Sequence, residues 1–540
     1  MKGYMKVKNI LNVWGAGQLL AFSGVDGKTD YNDGLLMRTS AGSSGLDIKL
    51  PGAGKIKFTG KPSDIVLAGD FFIFNSGKVK GAFIDAHHFL IEGDCTIDHT
   101  DNSTISLRIG NKALLGTNKF FNPALIGKDI DSLISARAKW IRSISIPKEI
   151  SGKRKRTLFK AFSQMKTQVY SPEGVIRHYW TTPDRWPHRQ MWLWDSVFHA
   201  IGFRHFDIRL AREAILAIFD TQKKDGMICH MMNPSSSSNV TQPPVIALGV
   251  KLLNDSHPSP KWIKSLYPKL KKYIEWDLAN RDTDGAGLCE WFIEGNVNCR
   301  CGESGMDNSS RFDCAAPLDA TDFNAYLAME CEILAEFAKI CGKGKDVGLW
   351  KKRHANICRL INERLWSEKK GFYFDYNLND KKLSDIYAVS GFMPLICGAA
   401  SKQQAEKLVA HMRNPRTFGT PFRIPSVAKC NGKEYSKDMW RGPTWISTNW
   451  LIILGLKRYG YIAEAKRLAD ETMKEIEDQY MKYGTFFEFY DDRKKVDPPK
   501  LLRKGQNAPE KSPYHQVIMD YGWTATLYVD LAFKGLLGSK

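Results

Sequence analysis

The hydrophobic period changes once along this chain, near residue 130, and that change limits what the chain can fold into. Before it, apolar and polar residues alternate in short runs: "LDIKL" (46–50), "KIKF" (55–58), "DFFIFNSG" (70–77), "GAFIDAHHFLIEGDCTIDH" (81–99) and "STISLRIG" (103–110). Period two, broken by glycine and Asp-Asn turns, predicts antiparallel strands and hence a β-sandwich over residues 1–130. No carboxylate or histidine constellation in this part suggests catalysis. The opening "MKGYMKVKNILNVWGAGQLLAFSG" is expected to contain a first strand. Asn12, Gly15, Gly17 and Gln18 interrupt its apolar run, which favours a cytoplasmic protein over one with a cleaved export signal.

After residue 130, apolar residues recur at three and four. "SLISARAKWIRSI", "TLFKAFSQM", "IRLAREAILAIFDTQ" and "PKWIKSLYPKLKKYIEWDLANR" read as helices, and the pattern continues to "YGWTATLYVDLAFKGLL". Trp262, Leu266, Tyr273 and Trp276 mark the expected buried stripe of one helix. Phe323, Tyr326, Leu327, Ile333, Leu334 and Phe337 mark that of another. The series amounts to roughly eleven or twelve helices over 131–540. Aromatic and charged residues gather in the connections, which suggests a closed helical toroid with inner and outer helices and a pocket at one end. No recurring motif of about 34 or 40 residues is visible, which argues against a solenoid.

The bulk properties exclude several classes. A chain of 540 residues is too long for one small core, so two domains or one large one are expected. The net charge of +20 comes from lysines spread along the chain, with no RNP-type motif or zinc-finger spacing, so a solvated surface is expected and no nucleic-acid partner. No apolar run of about 18 residues occurs, so no membrane helix is expected. The 11 cysteines form no framework beyond Cys299-x-Cys301 and read as reduced thiols. A disulfide among Cys289, Cys299, Cys301 and Cys314 would need an exported protein. No phosphate loop, dinucleotide fingerprint or nucleophile elbow is present, and no cofactor is expected. "RDTDGAG" (281–287) has the D-x-D-G look of a calcium loop but lacks a glutamate at the twelfth position, so it reads as a plain turn and no metal is expected. His188, His199 and His230 lack metal-ligand spacing and read as hydrogen-bonding residues.

Four connections carry the chemistry. "RHYWTTPDRWPHRQMWLWDS" (177–196) mixes Trp180, Trp186, Trp192 and Trp194 with Asp184 and Asp195. Sugar rings stack on indoles, and their hydroxyls need carboxylates and guanidinium groups. "ESGMDNSSRFD" (303–313) sets Glu303, Asp307, Asp313 and Arg311 among small residues, just after "CEWFIEG". "DMWRGPTWISTNW" (438–450) repeats the aromatic-plus-polar theme, and "YGTFFEFYDD" (483–492) holds Glu488 between Phe487 and Phe489. "DYGWTAT" (520–526) adds Asp520, Tyr521 and Trp523. Carboxylates and aromatics without a cofactor fit glycoside hydrolysis, in which one carboxyl protonates the departing oxygen and the other attacks C1 or deprotonates a water. Alternatives from other classes are a non-catalytic carbohydrate-binding protein on the same scaffold, or a mannosidase, trehalase or polysaccharide lyase. The serine-rich loop "NPSSSSNV" (233–240) is expected to be mobile and to set substrate length.

"WLWDS", "TQPP", "ESGMDNSSRFD", "MWRGPTW" and "FFEFYD", in that order from Trp192 to Trp523, resemble glycoside hydrolase family 63 and its relatives, the trehalases and mannosylglycerate hydrolases. The chain departs from the family pattern at Ser310, where a proline is common, and at Phe489, where an asparagine is common. The resemblance implies an (α/α)6 toroid over 131–540 behind the N-terminal sandwich, and an inverting exo-hydrolase of an α-linked glucoside or related α-glycoside. It implies Asp307 as general acid and Glu488 as general base. Trp194, Asp195, Gln242, Trp440 and Arg441 are then expected in the sugar pocket, with Arg311, Trp445 and Trp523 completing the substrate-binding set. Arg311 is also expected to pair with a carboxylate and hold its loop. Burial beside tryptophans, near Glu303 or Asp313, is expected to raise the pKa of Asp307.

Overall fold

The computed structural model describes residues 10, 13, 15, 17–39, 45–50, 54–60, 62–99, 102–506 and 515–538. They fall into two compact units. The first comprises Met1–Gln190, Ile476–Phe486 and Met519–Phe533, and the second Met191–Glu475, Phe487–Ile518 and Lys534–Lys540.

Among the described residues the first unit holds two large antiparallel sheets and a two-stranded one, Val169–Tyr170 with Trp180–Thr181. Strands β1 (Leu19–Ala21), β2 (Leu36–Thr39), β3 (Gly45–Leu50), β4 (Gly54–Phe58) and β9 (Cys95–His99) form one, in that order. The other runs β10 (Thr104–Ile109), β11 (Lys112–Thr117), β8 (His88–Glu92), β7 (Val79–Phe83), β6 (Phe71–Phe74), β5 (Val66–Ala68). Phe58 of β4 meets Phe72 and Phe74 of β6 edge-on at 5.4 and 5.1 Å, which joins the sheets into the expected sandwich. Burying each such phenylalanine contributes about 1.5–3 kcal/mol. The expected first strand appears at β1; residues 1–9, at the head of that stretch, lie outside the described residues. Helix α1 (Ile130–Ser143) starts at an Asp129 cap and lays Ile130, Ile134, Ala138 and Ile141 on the sandwich core. Helices α2 (Gly152–Thr167) and α13 (Gly522–Ala532) pack together in the same unit.

The second unit is helical. Alternate helices α3 (Leu193–Phe203), α5 (Ile246–Ser256), α7 (Thr321–Ile340), the short α9 (Pro394–Cys397) and α11 (Ile446–Arg458) neighbour one another in turn. Helices α4 (Ile208–Asp220), α6 (Pro260–Asn280) and α8 (Gly344–Leu360) each back the helix before them. Every residue of α3 is buried, as befits a helix enclosed on all sides. Helix α6 follows its Ser259 cap and buries one stripe: Ile263, Leu266, Tyr267, Leu270, Tyr273, Ile274 and Asp277. The expected stripe is offset from this one. Trp262 and Trp276 sit at its margin, under Arg212 and Arg281, because their broad indoles can cover a guanidinium there. Helix α10 (Lys402–Arg413) follows α9, and α12 (Ile462–Tyr483) leaves this unit at residue 476. Among the described residues no helix is long and apolar enough to cross a membrane.

Candidate active site

The loop 301–313 is built by short local bonds. A single turn of 3-10 helix, Gly302–Ser304, ends at Gly305, whose φ of 68° is left-handed. A β-carbon there would lie 2.5 Å from Cζ2 of Trp194, so only glycine satisfies both the backbone and the neighbour. Met306 N–H donates to Ser304 Oγ at 3.0 Å, and Cys301 N–H to the Asp307 carbonyl at 3.2 Å. These bonds turn the Asp307 carboxyl outward while its neighbours stay buried.

The other charges of this loop have structural partners. Glu303 is fully buried and accepts from Thr241 N–H, Phe292 N–H and the Arg281 guanidinium. Arg311 gives its donors to Asp322 and Asp375 in four bonds of 2.7–3.1 Å and turns Nη1 also to Met306 Sδ. Its expected place on the substrate is therefore corrected: a fully buried guanidinium with its N–H groups committed has none for a sugar. The expected loop-holding pair is what forms.

Two further segments knit to this loop. Trp440 N–H donates to Asn308 Oδ1 at 3.0 Å, and Arg441 forks onto Asp313 at 2.8 and 2.6 Å. Trp440 stacks on Trp445 with centroids 3.7 Å apart, and Trp445 Nε1 donates to the Met439 carbonyl. Trp194 lies 6.4 Å from Trp440, and its N–H donates to Gln242 Oε1 at 3.1 Å. Asp195 follows in the first turn of α3, where the helix dipole favours negative charge. Thr444 and Tyr490 exchange backbone bonds, and Glu488 N–H donates to the Ile518 carbonyl at 3.0 Å. Phe489 packs on Trp445 with centroids 4.9 Å apart. Trp194, Asp195, Gln242, Asp307, Trp440, Arg441, Trp445 and Glu488 thus belong to one unit, whereas Trp523 belongs to the other, buried at the start of α13. Trp180 of the first connection is a core residue there, stacked on Tyr170 at 4.2 Å.

Sequence reasoning missed the cations that face the two carboxyls. Arg503 grips Glu488 through Nε at 2.7 Å and Nη2 at 3.1 Å. The next residue, Lys504, brings Nζ to 2.9 Å from Asp307 Oδ2. Arg503 and Gln506 close a two-residue turn in which Lys504 and Gly505 both have left-handed φ, 54° and 78°. Gly505 N–H is held by Asp438 Oδ2 at 2.8 Å. Burial pushes the Asp307 carboxyl up, but Lys504, Arg503 and His230 outweigh it, and the net lies below the usual range. The expected rise is thereby reversed, since Glu303 and Asp313 spend their charge on Arg281 and Arg441 and Lys504 stands closest. The same contact raises Lys504 against the effect of its burial. Burial keeps the His230 imidazole below its usual range, with Nδ1 2.6 Å from Ser238 Oγ of the serine-rich loop. Cys299 is pushed up to about 12 by burial and by the Asp307 charge, so it is a thiol at neutral pH. All 11 cysteines stand as free thiols.

One group among the described residues has the makings of a cation site. Asp282, Asp284 and Glu290 bring carboxylate oxygens within 4.8 Å of one another. Glu290 is drawn onto the turn, its Oε2 accepting from Thr283 N–H and Oγ1. Arg364 shares Asp284 at 3.2 Å and already offsets part of the charge.

Comparison with known proteins fits this arrangement. The family model described as "Mannosylglycerate hydrolase MGH1-like glycoside hydrolase domain" matches residues 188–496. A mannosylglycerate hydrolase of Thermus thermophilus is 26% identical over 391 residues, covering 58% of this chain and 91% of that protein. A glucosylglycerate hydrolase of Mycolicibacterium hassiacum is 22% identical over 409 residues, covering 57% and 87%. The crystal structure of a GH63 mannosylglycerate hydrolase from Thermus thermophilus in complex with glucose matches at a TM-score of 0.57 and 24% identity, covering 69% of this chain and 99% of that one. That likeness shows the fold: the helix-rich part is an (α/α)6 toroid, preceded by the strand-rich region.

Proposed function

From the premise that this chain belongs to the MGH1-like glycoside hydrolase family, we propose that it hydrolyses an α-hexoside, gluco or manno, with inversion at C1. The observation that carries the reading is that two carboxyls in one unit, Asp307 and Glu488, are met by cations on consecutive residues, Lys504 and Arg503. Glu488 is the base. The bidentate Arg503 fork fixes its direction. It removes a proton from a water as that water's oxygen bonds to C1. Asp307 is the acid, and gives its proton to the glycosidic oxygen as the C1–O bond breaks. Trp440, seated on Trp445, is assigned to the wall of the sugar pocket, with Trp194, Asp195, Gln242 and Arg441 around it. The names of the relatives support a small acid as the aglycone. We keep the division into a sandwich over 1–130 and a catalytic toroid over 131–540 as part of this reading.

The test uses leaving groups. Asp307→Asn should lose activity on alkyl glycosides yet keep it on glycosyl fluorides, which depart without a proton. Glu488→Gln should lose both. An Asp307→Asn enzyme as active as wild type on alkyl glycosides would remove Asp307 from the acid's role.

A further inference from the structure

The two cations of the site are not equivalent. Arg503 is 4% exposed and spends a rigid fork on Glu488. Lys504 is 21% exposed, makes one contact to Asp307, and carries its charge on a flexible stem. Its backbone is held left-handed, a conformation strained for a non-glycine residue. Such strain persists where surrounding structure imposes it, and clusters at functional positions. Here the turn 503–506 and the Asp438 bond to Gly505 impose it, and the effect is to aim a lysine at the acid.

That contact conflicts with the chemistry. An acid catalyst has to carry a proton, and an ammonium 2.9 Å away favours the ionised form. The other groups that act on Asp307 do not resolve the conflict: Arg503 and His230 act in the same sense, and Cys299 is a thiol.

We propose that Lys504 determines specificity by exchanging partners: it pairs with Asp307 in the free enzyme and moves to an anionic group on the aglycone in the complex. Proton delivery is then tied to an acidic leaving group. A glycoside whose aglycone bears a carboxylate draws Lys504 away and leaves Asp307 to take up a proton from solvent. An uncharged aglycone leaves the ion pair in place. This rests on Asp307 as the acid, as proposed above.

The experiment compares wild type with Lys504→Met on two glycosides of the same sugar, one of D-glycerate and one of glycerol, across pH. On the glycerate conjugate, Lys504→Met should lose about 10- to 100-fold in kcat/KM, the share of a charge-assisted bond. On the glycerol glycoside it should gain at neutral pH, and its alkaline limb should move to higher pH. A structural role moves both substrates down together, and that result would overturn the proposal. A second arm needs no turnover. D-glycerate is titrated calorimetrically in two buffers of different ionisation heat. Wild type should take up a proton on binding near neutral pH, and Lys504→Met should bind more weakly without one. Binding without proton uptake in wild type, or no binding, sinks the exchange. Failure of wild type to cleave either glycoside sinks the hydrolase reading instead, and the titration still decides the role of Lys504.

Discussion

Replacing Gly305 by alanine tests how the acid is aimed. The added β-carbon would sit 2.5 Å from Cζ2, 2.9 Å from Cε2 and 3.0 Å from Cη2 of Trp194. An ordinary contact is about 3.4–4 Å, so loop and indole must separate by about 1 Å. Trp194 is 1% exposed, with the Phe198 and Trp440 rings 5.8 and 6.4 Å away. Overpacking of this kind costs about 1–3 kcal/mol, and the left-handed backbone adds about 1–2 for alanine. The sum, about 2–5 kcal/mol, lowers Tm by about 4–20 °C at the sensitivity of a large domain. The rate should suffer more, because a shift of about 1 Å at a reacting group costs about 100-fold. Differential scanning calorimetry and kcat/KM measure the two effects. Gly295→Ala is the control: nothing lies within 4 Å of its added carbon. A Gly305→Ala enzyme matching that control in both Tm and kcat/KM would refute the packing argument.

Arg311→Met should strand Asp322 and Asp375 as buried carboxylates, costing about 3–5 kcal/mol, and thermal unfolding should show it as a large fall in Tm. Asp313→Asn should change Tm little, since the pair with Arg441 is exposed and worth about 1 kcal/mol or less; steady-state kinetics should show KM rising as Arg441 loosens. His199 is depressed to about 3 by burial, below its unfolded value of 6.5. The unfolded chain therefore binds the extra proton first, and stability is lost as pH falls through that window. His199→Gln should flatten the slope of Tm against pH between about 6.5 and 4. An unchanged slope would place the acid sensitivity elsewhere.

The sandwich and the helices were legible because one face of each element is buried and the apolar spacing records it. Phe323, Tyr326 and Leu327 are buried as their spacing predicts. The α6 stripe shows the limit: tryptophans weigh heavily in a hydrophobic pattern, yet Trp262 and Trp276 cover guanidinium groups at the margin. The acid loop was legible from its small residues around Asp307. Its electrostatics were not, because they depend on partners distant in sequence: Asp375 for Arg311, Arg281 for Glu303, Lys504 for Asp307. Arg503 and Lys504 are two of 78 basic residues, and nothing local sets them apart except the glycine that follows. That glycine, read as a two-residue turn, was the available signal.

The most direct test of Asp307 and Glu488 as acid and base across a water is a proton NMR time course of hydrolysis. An α-hexosyl-D-glycerate is incubated with wild type, Asp307→Asn and Glu488→Gln, and the anomeric signals are followed before mutarotation. The two-carboxylate mechanism predicts β-hexose as the first product from wild type and no early product from either variant. A first product of α configuration would mean that a side chain attacks C1, and Glu488 could not be acting on a water.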